Sequence, residues 1–467
     1  MTQSAPHAPS VFDKAIRTTS SESLITRYYQ GIQLASAELE KKRTGNGFCP
    51  PFEYPDLTDD WEQYFSPAGA SWEHLDDYGG KRVVLLDLMK NPEVRTTKTT
   101  ASLLMVARAV HHIRRTGESI LIFCPSSGNK AVALRDAVAR AIDLGLAAPD
   151  ELRIATFTPA RTTYKFRRNL LTESEELRRL NPILVLDGPQ PAAVKELGQE
   201  FVRAAQFGGP RTCRVWYTLD IANYKVADAC RAFFEYEFGG ADPAHRRRLH
   251  AHAVSSAYGL LGYQHGLGVL ARLGLPIAQP GFLLVQHLAT SDMVAHHLSG
   301  GAGFEMDIDY QPDPETGLLR QQASPHFPYA TWSLGEDLEP TFYTKTPVTS
   351  PEMTGLIAAH GGTGIVVSLY ECLTRYSLAR QMLALSGCEL PADPRTLAEW
   401  SLVMVLTGMT NAADRALIDQ FNEVVVHGSG MYPHHSEHAV SRAQTVEVGC
   451  LADMLRAVPG TQEHGRI

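Results

Sequence analysis

A chain of 467 residues exceeds the usual size of a single hydrophobic core, so two lobes or one large body with a smaller one are expected. Hydrophobic residues make up 44% and charged residues 20%, and the formal net charge is −8 with acids and bases mixed, which leaves no broad positive field for a nucleic-acid backbone. The seven cysteines are never closely paired, which argues against a disulfide framework or a thiolate zinc site and for a reducing cytoplasm, and no apolar run approaches the ~20 residues that span a bilayer.

Residues up to about Gly80 read as a loose Ser/Thr-rich tail followed by an aromatic, Pro-interrupted entry segment. Residues 81–88 form a compact β-branched and apolar run bounded by Gly79-Gly80 and Asn91-Pro92, the pattern of a buried strand, and a helix is expected from about Thr99. Strands predicted at 119–124, 152–157, 182–186 and 214–219 alternate with helices at 130–146 and 191–206, which implies crossover units and a parallel sheet covered on both faces. The basic run from His245 to His252 reads as a solvated helix face. After longer helices come a strand at 281–286, a helix at 293–298, a helix at 352–360 leading into a strand at 365–369, and a last strand at 423–427. The expected organisation is a small α/β domain at 101–236 inserted into a large α/β domain made of 1–100 and 237–467.

Two segments place small polar groups where strand hands over to helix, the place where backbone amides converge on a ligand. In Asn91-Pro92-Glu93-Val94-Arg95-Thr96-Thr97-Lys98-Thr99-Thr100, one lysine opens a predicted helix among hydroxyl residues. A lysine there opposes the helix dipole, which favours its neutral amine, the form that Schiff-base chemistry requires; the plain alternative is an exposed lysine in a polar loop. In Cys124-Pro125-Ser126-Ser127-Gly128-Asn129, Gly128 permits close approach of a ligand and the Asn129 amide can meet a ring oxygen, while an ordinary capping turn would use the same residue types.

Taken together and in this order, Asn-Pro…Thr-x-Lys and Ser-Ser-Gly-Asn resemble the motifs of the fold type II enzymes of pyridoxal 5′-phosphate (PLP), such as threonine synthase, cysteine synthase and cystathionine β-synthase. The resemblance implies an α/β fold of the tryptophan synthase β type, two three-layer lobes with mainly parallel sheets. It places Lys98 on the Schiff-base lysine and Thr96 on the preceding serine. Ser126, Ser127 and Gly128 fall on the loop that takes the substrate carboxylate, and Asn129 falls beside the phenolic oxygen of the cofactor. Residues Ser255-Ser256-Ala257-Tyr258 resemble the start of an active-site helix in threonine synthases.

Two segments compete for the cofactor phosphate. Gly361-Gly362-Thr363-Gly364 is rich in glycine but is expected at a helix C-terminus, the wrong end of the dipole. Ala289, Thr290 and Ser291 follow a predicted strand and open a helix, so they are the expected phosphate site. Near the C-terminus, His427-Gly428-Ser429-Gly430 resembles the turn whose hydroxyl meets the pyridine nitrogen, with His427 in the threonine position and either His427 or Ser429 able to take the role. The departures from the family pattern suggest a specialised biosynthetic member. The expected activity is β- or γ-replacement on an amino acid, with a second nucleophilic substrate; elimination of the dehydratase kind and a non-catalytic protein retaining the fold are the alternatives. A homodimer with no metal, nucleic-acid or membrane partner completes the expectation.

Overall fold

The computed structural model describes residues 20–42, 47–126, 128–186, 193–207, 213–218, 220–240, 247–434 and 438–462. In chain order its principal strands are β1 (Ser20–Ser21), β2 (Ala70–His74), β3 (Arg82–Asp87), β4 (Ser119–Pro125), β5 (Leu152–Pro159), β6 (Ile183–Leu186), β7 (Cys213–Tyr217), β8 (Arg248–Ala253), β9 (Gly281–His287), β10 (Gly362–Val367), β11 (Glu423–Gly428) and β12 (Val446–Glu447). The helices that position the site are α1 (Lys98–Thr116), α2 (Asn129–Asp143), α3 (Ala193–Ala204), α4 (Ala222–Phe238), α5 (Tyr258–Arg272), α6 (Asp292–Leu298) and α7 (Ser401–Asp414).

Two sheets organise the molecule. The larger has the order β1-β2-β3-β11-β8-β9-β10, and the smaller β12-β6-β5-β4-β7. The strands from β3 to β10 pair in parallel, with β1 and β2 added antiparallel at one edge. Every pairing in the smaller sheet is parallel. The fold is therefore mixed α/β with mostly parallel sheets, and continuous apolar runs such as Ile120-Leu121-Ile122-Phe123 are buried on both faces. The C-terminal segment returns to the smaller sheet, where β12 pairs with β6.

One stretch differs from its sequence reading. His245 and Arg246 lie outside the described residues, but Arg248 to His252 of the basic run lie in β8, an interior strand of the large sheet, and not on a solvated helix face. Arg248 is half-buried because its guanidinium lies against Glu235 and Glu423, 2.5 Å from each. His250 is fully buried behind it. Pairing of the charges removes the desolvation cost that would otherwise keep such a run at the surface.

Helices α4 and α5 cross closely on one face of the large sheet. A Cβ at Gly262 would come 2.4 Å from the Asp228 Cβ, and one at Gly266 would come 2.5 Å from the Ala229 carbonyl oxygen. That close crossing brings the first turn of α5 against Arg231 of α4. The consequence is a polar corner at the mouth of the large sheet, opposite the start of α1.

Candidate active site

A cavity of about 190 Å³ opens where α1, α2 and α5 begin, between the two sheets. Its walls include Lys98, Ser126, Asn129, Lys130, Arg231, His252, the segment 254–259, Thr341, Ser401 and Ser429. Four cations line it, Lys98, Lys130, Lys195 and Arg231, and among the described lining residues none is a carboxylate.

Lys98 is the first residue of α1, and the loop before it is stitched to the end of β11. The Thr97 amide donates to the Ser429 carbonyl at 2.9 Å, and Thr96 bridges to Gly430. The Lys98 amine sits 5.2 Å from the Tyr224 ring centre. Burial holds its pKa below the usual lysine value; Asp228 partly restores it, and the nearby Arg231 charge lowers it again. Lys130 is a second amine on the same ring, 5.7 Å from its centre, and burial lowers it to about 8. Both lysines line the cavity, but the Lys130 amine is committed to the Thr218 carbonyl.

Ser126 and Asn129 line the cavity, Gly128 lies just behind them, and Ser127 lies outside the described residues. Gly128 adopts φ +144°, in the region that favours glycine, and an added Cβ would meet the Lys165 side chain at 3.1 Å. The Asn129 amide, expected beside a cofactor oxygen, is already engaged. It donates to Glu399 at 2.6 Å and accepts from the Tyr432 hydroxyl at 2.9 Å. Glu399 in turn shares the Lys165 ammonium with Glu339, at 2.9 and 2.8 Å. All three charged side chains are fully buried. Burial and the neighbouring Glu399 push Glu339 up to about 7 against the pull of Lys165. No local sequence pattern marks this network, because its members lie at 129, 165, 339, 399 and 432.

The expected phosphate site at 289–291 lies apart from these walls. Ala289, Thr290 and Ser291 do not line the cavity: the Thr290 hydroxyl is buried, donating to the Phe342 carbonyl at 2.7 Å, and the Ala289 carbonyl accepts from Lys345 at 2.6 Å. Asp292, the first residue of α6, turns to the same neighbouring loop, accepting from the Thr346 amide at 2.9 Å and the Lys345 ammonium at 3.3 Å. The glycine cluster at 361–364 is also outside the cavity, most of it lying in β10. The strand-to-helix turn that does face Lys98 is Val254-Ser255-Ser256-Ala257-Tyr258-Gly259, between β8 and α5. Ala257 caps α5 at φ +50°, and Gly259 leaves space for Arg231, whose nearest guanidinium atoms an added Cβ would meet at 2.6 Å. Here a 15-residue helix directs its N-terminal amides at the cavity.

His427 and Ser429 end in different surroundings. His427 is fully buried and does not line the cavity; Arg231 donates to its Nδ1 at 2.9 Å, and its Nε2 is 2.8 Å from His250 Nδ1. Burial, with Arg231 and the other histidines, holds it well below the usual histidine pKa. Ser429 lines the cavity, and its hydroxyl is buried with no protein partner. His252 is similar: Nδ1 is 2.6 Å from the Ala253 carbonyl, so it carries the proton, and the buried Nε2 has no protein partner.

The fold and cavity define an α/β protein with a polar, cation-lined chamber at the helix-bearing ends of two mainly parallel sheets. The chain belongs to the family described as Family of unknown function (DUF6002), which matches residues 20–462. No curated protein matches it. Among solved structures it is similar to a fungal L-serine ammonia-lyase from Rhizomucor miehei, with 13% identity and a TM-score of 0.49 over 78% of this chain and 94% of that one. It is also similar to a PLP-bound threonine synthase from Brucella melitensis (14% identity, TM-score 0.47, 86% of this chain and 78% of that one). For yeast threonine synthase the values are 11% and 0.46, over 85% and 73%.

Proposed function

We propose that the protein is a PLP-dependent enzyme acting on an amino acid, with Lys98 as the covalent attachment point. The observation that carries this reading is the convergence on one cavity of a buried, neutral-leaning lysine, a long helix N-terminus and an unpartnered hydroxyl. The residues fit the group. Residues 254–259 with the α5 amides suit its phosphate, the Lys98 amine suits its aldehyde, and of the two candidates for its ring nitrogen Ser429 is the one that faces the chamber. The turn containing Ser126, Gly128 and Asn129 opens α2 and is suited to a substrate carboxylate.

When bound, the cofactor supplies an aldehyde that joins a substrate amine and a ring that withdraws electrons from the adjacent carbon. The chain supplies the rest. Lys98 is a nucleophile because burial favours its neutral amine, and that same amine, once free, is the base placed to take the Cα proton. The Lys165–Glu399–Asn129 network fixes the carboxylate turn, and the aromatic wall of Tyr224, Tyr258, Phe342 and Tyr343 keeps the chamber poor in water. Replacement of a β- or γ-substituent by a second, nucleophilic substrate is the reading we favour, over elimination to a keto acid and ammonia. PLP titration of the purified protein tests the attachment: wild type should develop a visible band that borohydride removes, and Lys98→Ala should not. A wild type that takes up no PLP, or a variant with the same band, would overturn it.

A further inference from the structure

A second buried polar chain runs from the floor of the chamber into the large sheet, and its direction can be worked out. Arg231 can only donate, so His427 Nδ1 must accept and the proton of this histidine sits on Nε2. Nε2 then donates to His250 Nδ1, which places the proton of His250 on its own Nε2, 3.1 Å from Glu235 Oε2 though off the line of a good hydrogen bond. Glu235 is held to Arg248 at 2.5 Å, and that guanidinium charge holds the carboxyl below its usual pKa in spite of its burial. Tyr263 packs against His250 with ring centres 4.3 Å apart and planes tilted by 36°, which limits rotation of the imidazole.

Arg231 has five N–H donors. Nε donates to Asp228 at 2.9 Å, one terminal nitrogen reaches both Thr97 and Asp228 at 2.7 Å, and the other donates to His427. The His427-facing nitrogen keeps a second hydrogen that these bonds do not use, on a residue that lines the chamber. Thr97 is held from both sides, its amide by the Ser429 carbonyl and its hydroxyl by the Arg231 guanidinium, and both residues line the chamber next to Lys98. A hydroxyl both donates and accepts, so Ser429 matches a ring nitrogen in either protonation state. A guanidinium does not.

We propose that Arg231, held by the donor chain Arg231→His427→His250 toward Glu235, presents its remaining N–H to the cofactor's ring nitrogen beside Ser429 and keeps that nitrogen unprotonated. His427 and His250 are positioning residues for this charge. An unprotonated ring is the weaker electron sink, suited to expelling a leaving group and unsuited to holding a long-lived carbanion. The inference deepens the function proposed above and rests on it for the identity of the ligand.

Two measurements test it separately. In the cofactor-free protein labelled with ¹⁵N-histidine, NMR should find both His427 and His250 neutral and protonated on Nε2; a proton on Nδ1 of His427 overturns the chain whether or not PLP binds. In protein loaded with PLP ¹⁵N-labelled at the ring, the nitrogen signal should lie at the unprotonated position, and Arg231→Gln should shift it toward the protonated one. His427→Phe, which leaves Arg231 present without its acceptor, should shift it the same way, and so serves if the arginine variant does not fold. A protonated ring nitrogen in wild type, or a signal unmoved in both variants, overturns the proposal. So does an Arg231→Gln protein that loses PLP affinity with an unmoved ring signal, since Arg231 would then serve the phosphate. If wild type takes up no PLP, the ring assignment falls together with the proposed function, and the histidine tautomers alone decide the chain.

Discussion

The chamber is bounded by two polar regions that differ in one respect. On the side of α2, Lys165, Glu339, Glu399, Asn129 and Tyr432 satisfy one another: the three Lys165 donors go to Glu339, Glu399 and the Ala398 carbonyl, and Glu399 also accepts from Ser401. On the side of β11 and β8, the Ser429 hydroxyl and His252 Nε2 are buried with no protein partner, beside an arginine with one hydrogen to spare. Buried polar atoms are rarely left unpaired, because each costs roughly 1–3 kcal/mol. On the function proposed above, the first region is framework and the second is the part that the ligand completes. The framework region carries function only by holding the Asn129 turn in place.

If that contrast is right, breaking the framework should cost the most stability. Lys165→Met leaves two buried carboxylates sharing no cation and should lower the unfolding free energy by about 3–5 kcal/mol in urea titration; a loss under about 1 kcal/mol would contradict the assignment. Tyr432→Phe removes the donor to Asn129 Oδ1 and should cost about 1–3 kcal/mol. Glu339 adds a pH signature. Its pKa is raised in the folded state, so the unfolded chain gives up this proton first, and stability referred to Glu339→Gln should fall by roughly 3 kcal/mol as pH rises from about 4.5 through about 7. A difference flat across that window would mean that the glutamate titrates normally. The smallest effect belongs to the other region: Ser429→Ala discards an unpartnered hydroxyl, so the cofactor-free protein should change by less than about 0.5 kcal/mol while its PLP uptake weakens. A large loss of ligand-free stability there would erase the distinction.

The same contrast explains what could be read from the sequence. Lys98 and the Ser126 to Asn129 turn are legible because each is set by a local strand, turn and helix, and the strands of the smaller sheet show as plain apolar runs. Residues 255–258 are legible as the start of an active-site helix, but the strand that leads into them is not. That strand, β8, carries Arg248, His250 and His252, whose partners Glu235, Glu423 and His427 are distant in sequence, so charge hid the strand and with it the handover to α5. Residues 289–291 had the right local pattern but make their hydrogen bonds to 342 and 345, which no local pattern reveals. Arg231, in the middle of α4, gives no local signal at all. Only the close crossing of α4 and α5 brings it to the chamber.

Two lysines with lowered pKa values share the face of Tyr224, and only one of them can be the attachment point on this account. Peptide mapping by mass spectrometry after loading with PLP and reduction with borohydride separates them. The pyridoxyl mass should appear on the peptide holding Lys98; on Lys130, or on no lysine, it would contradict the central claim.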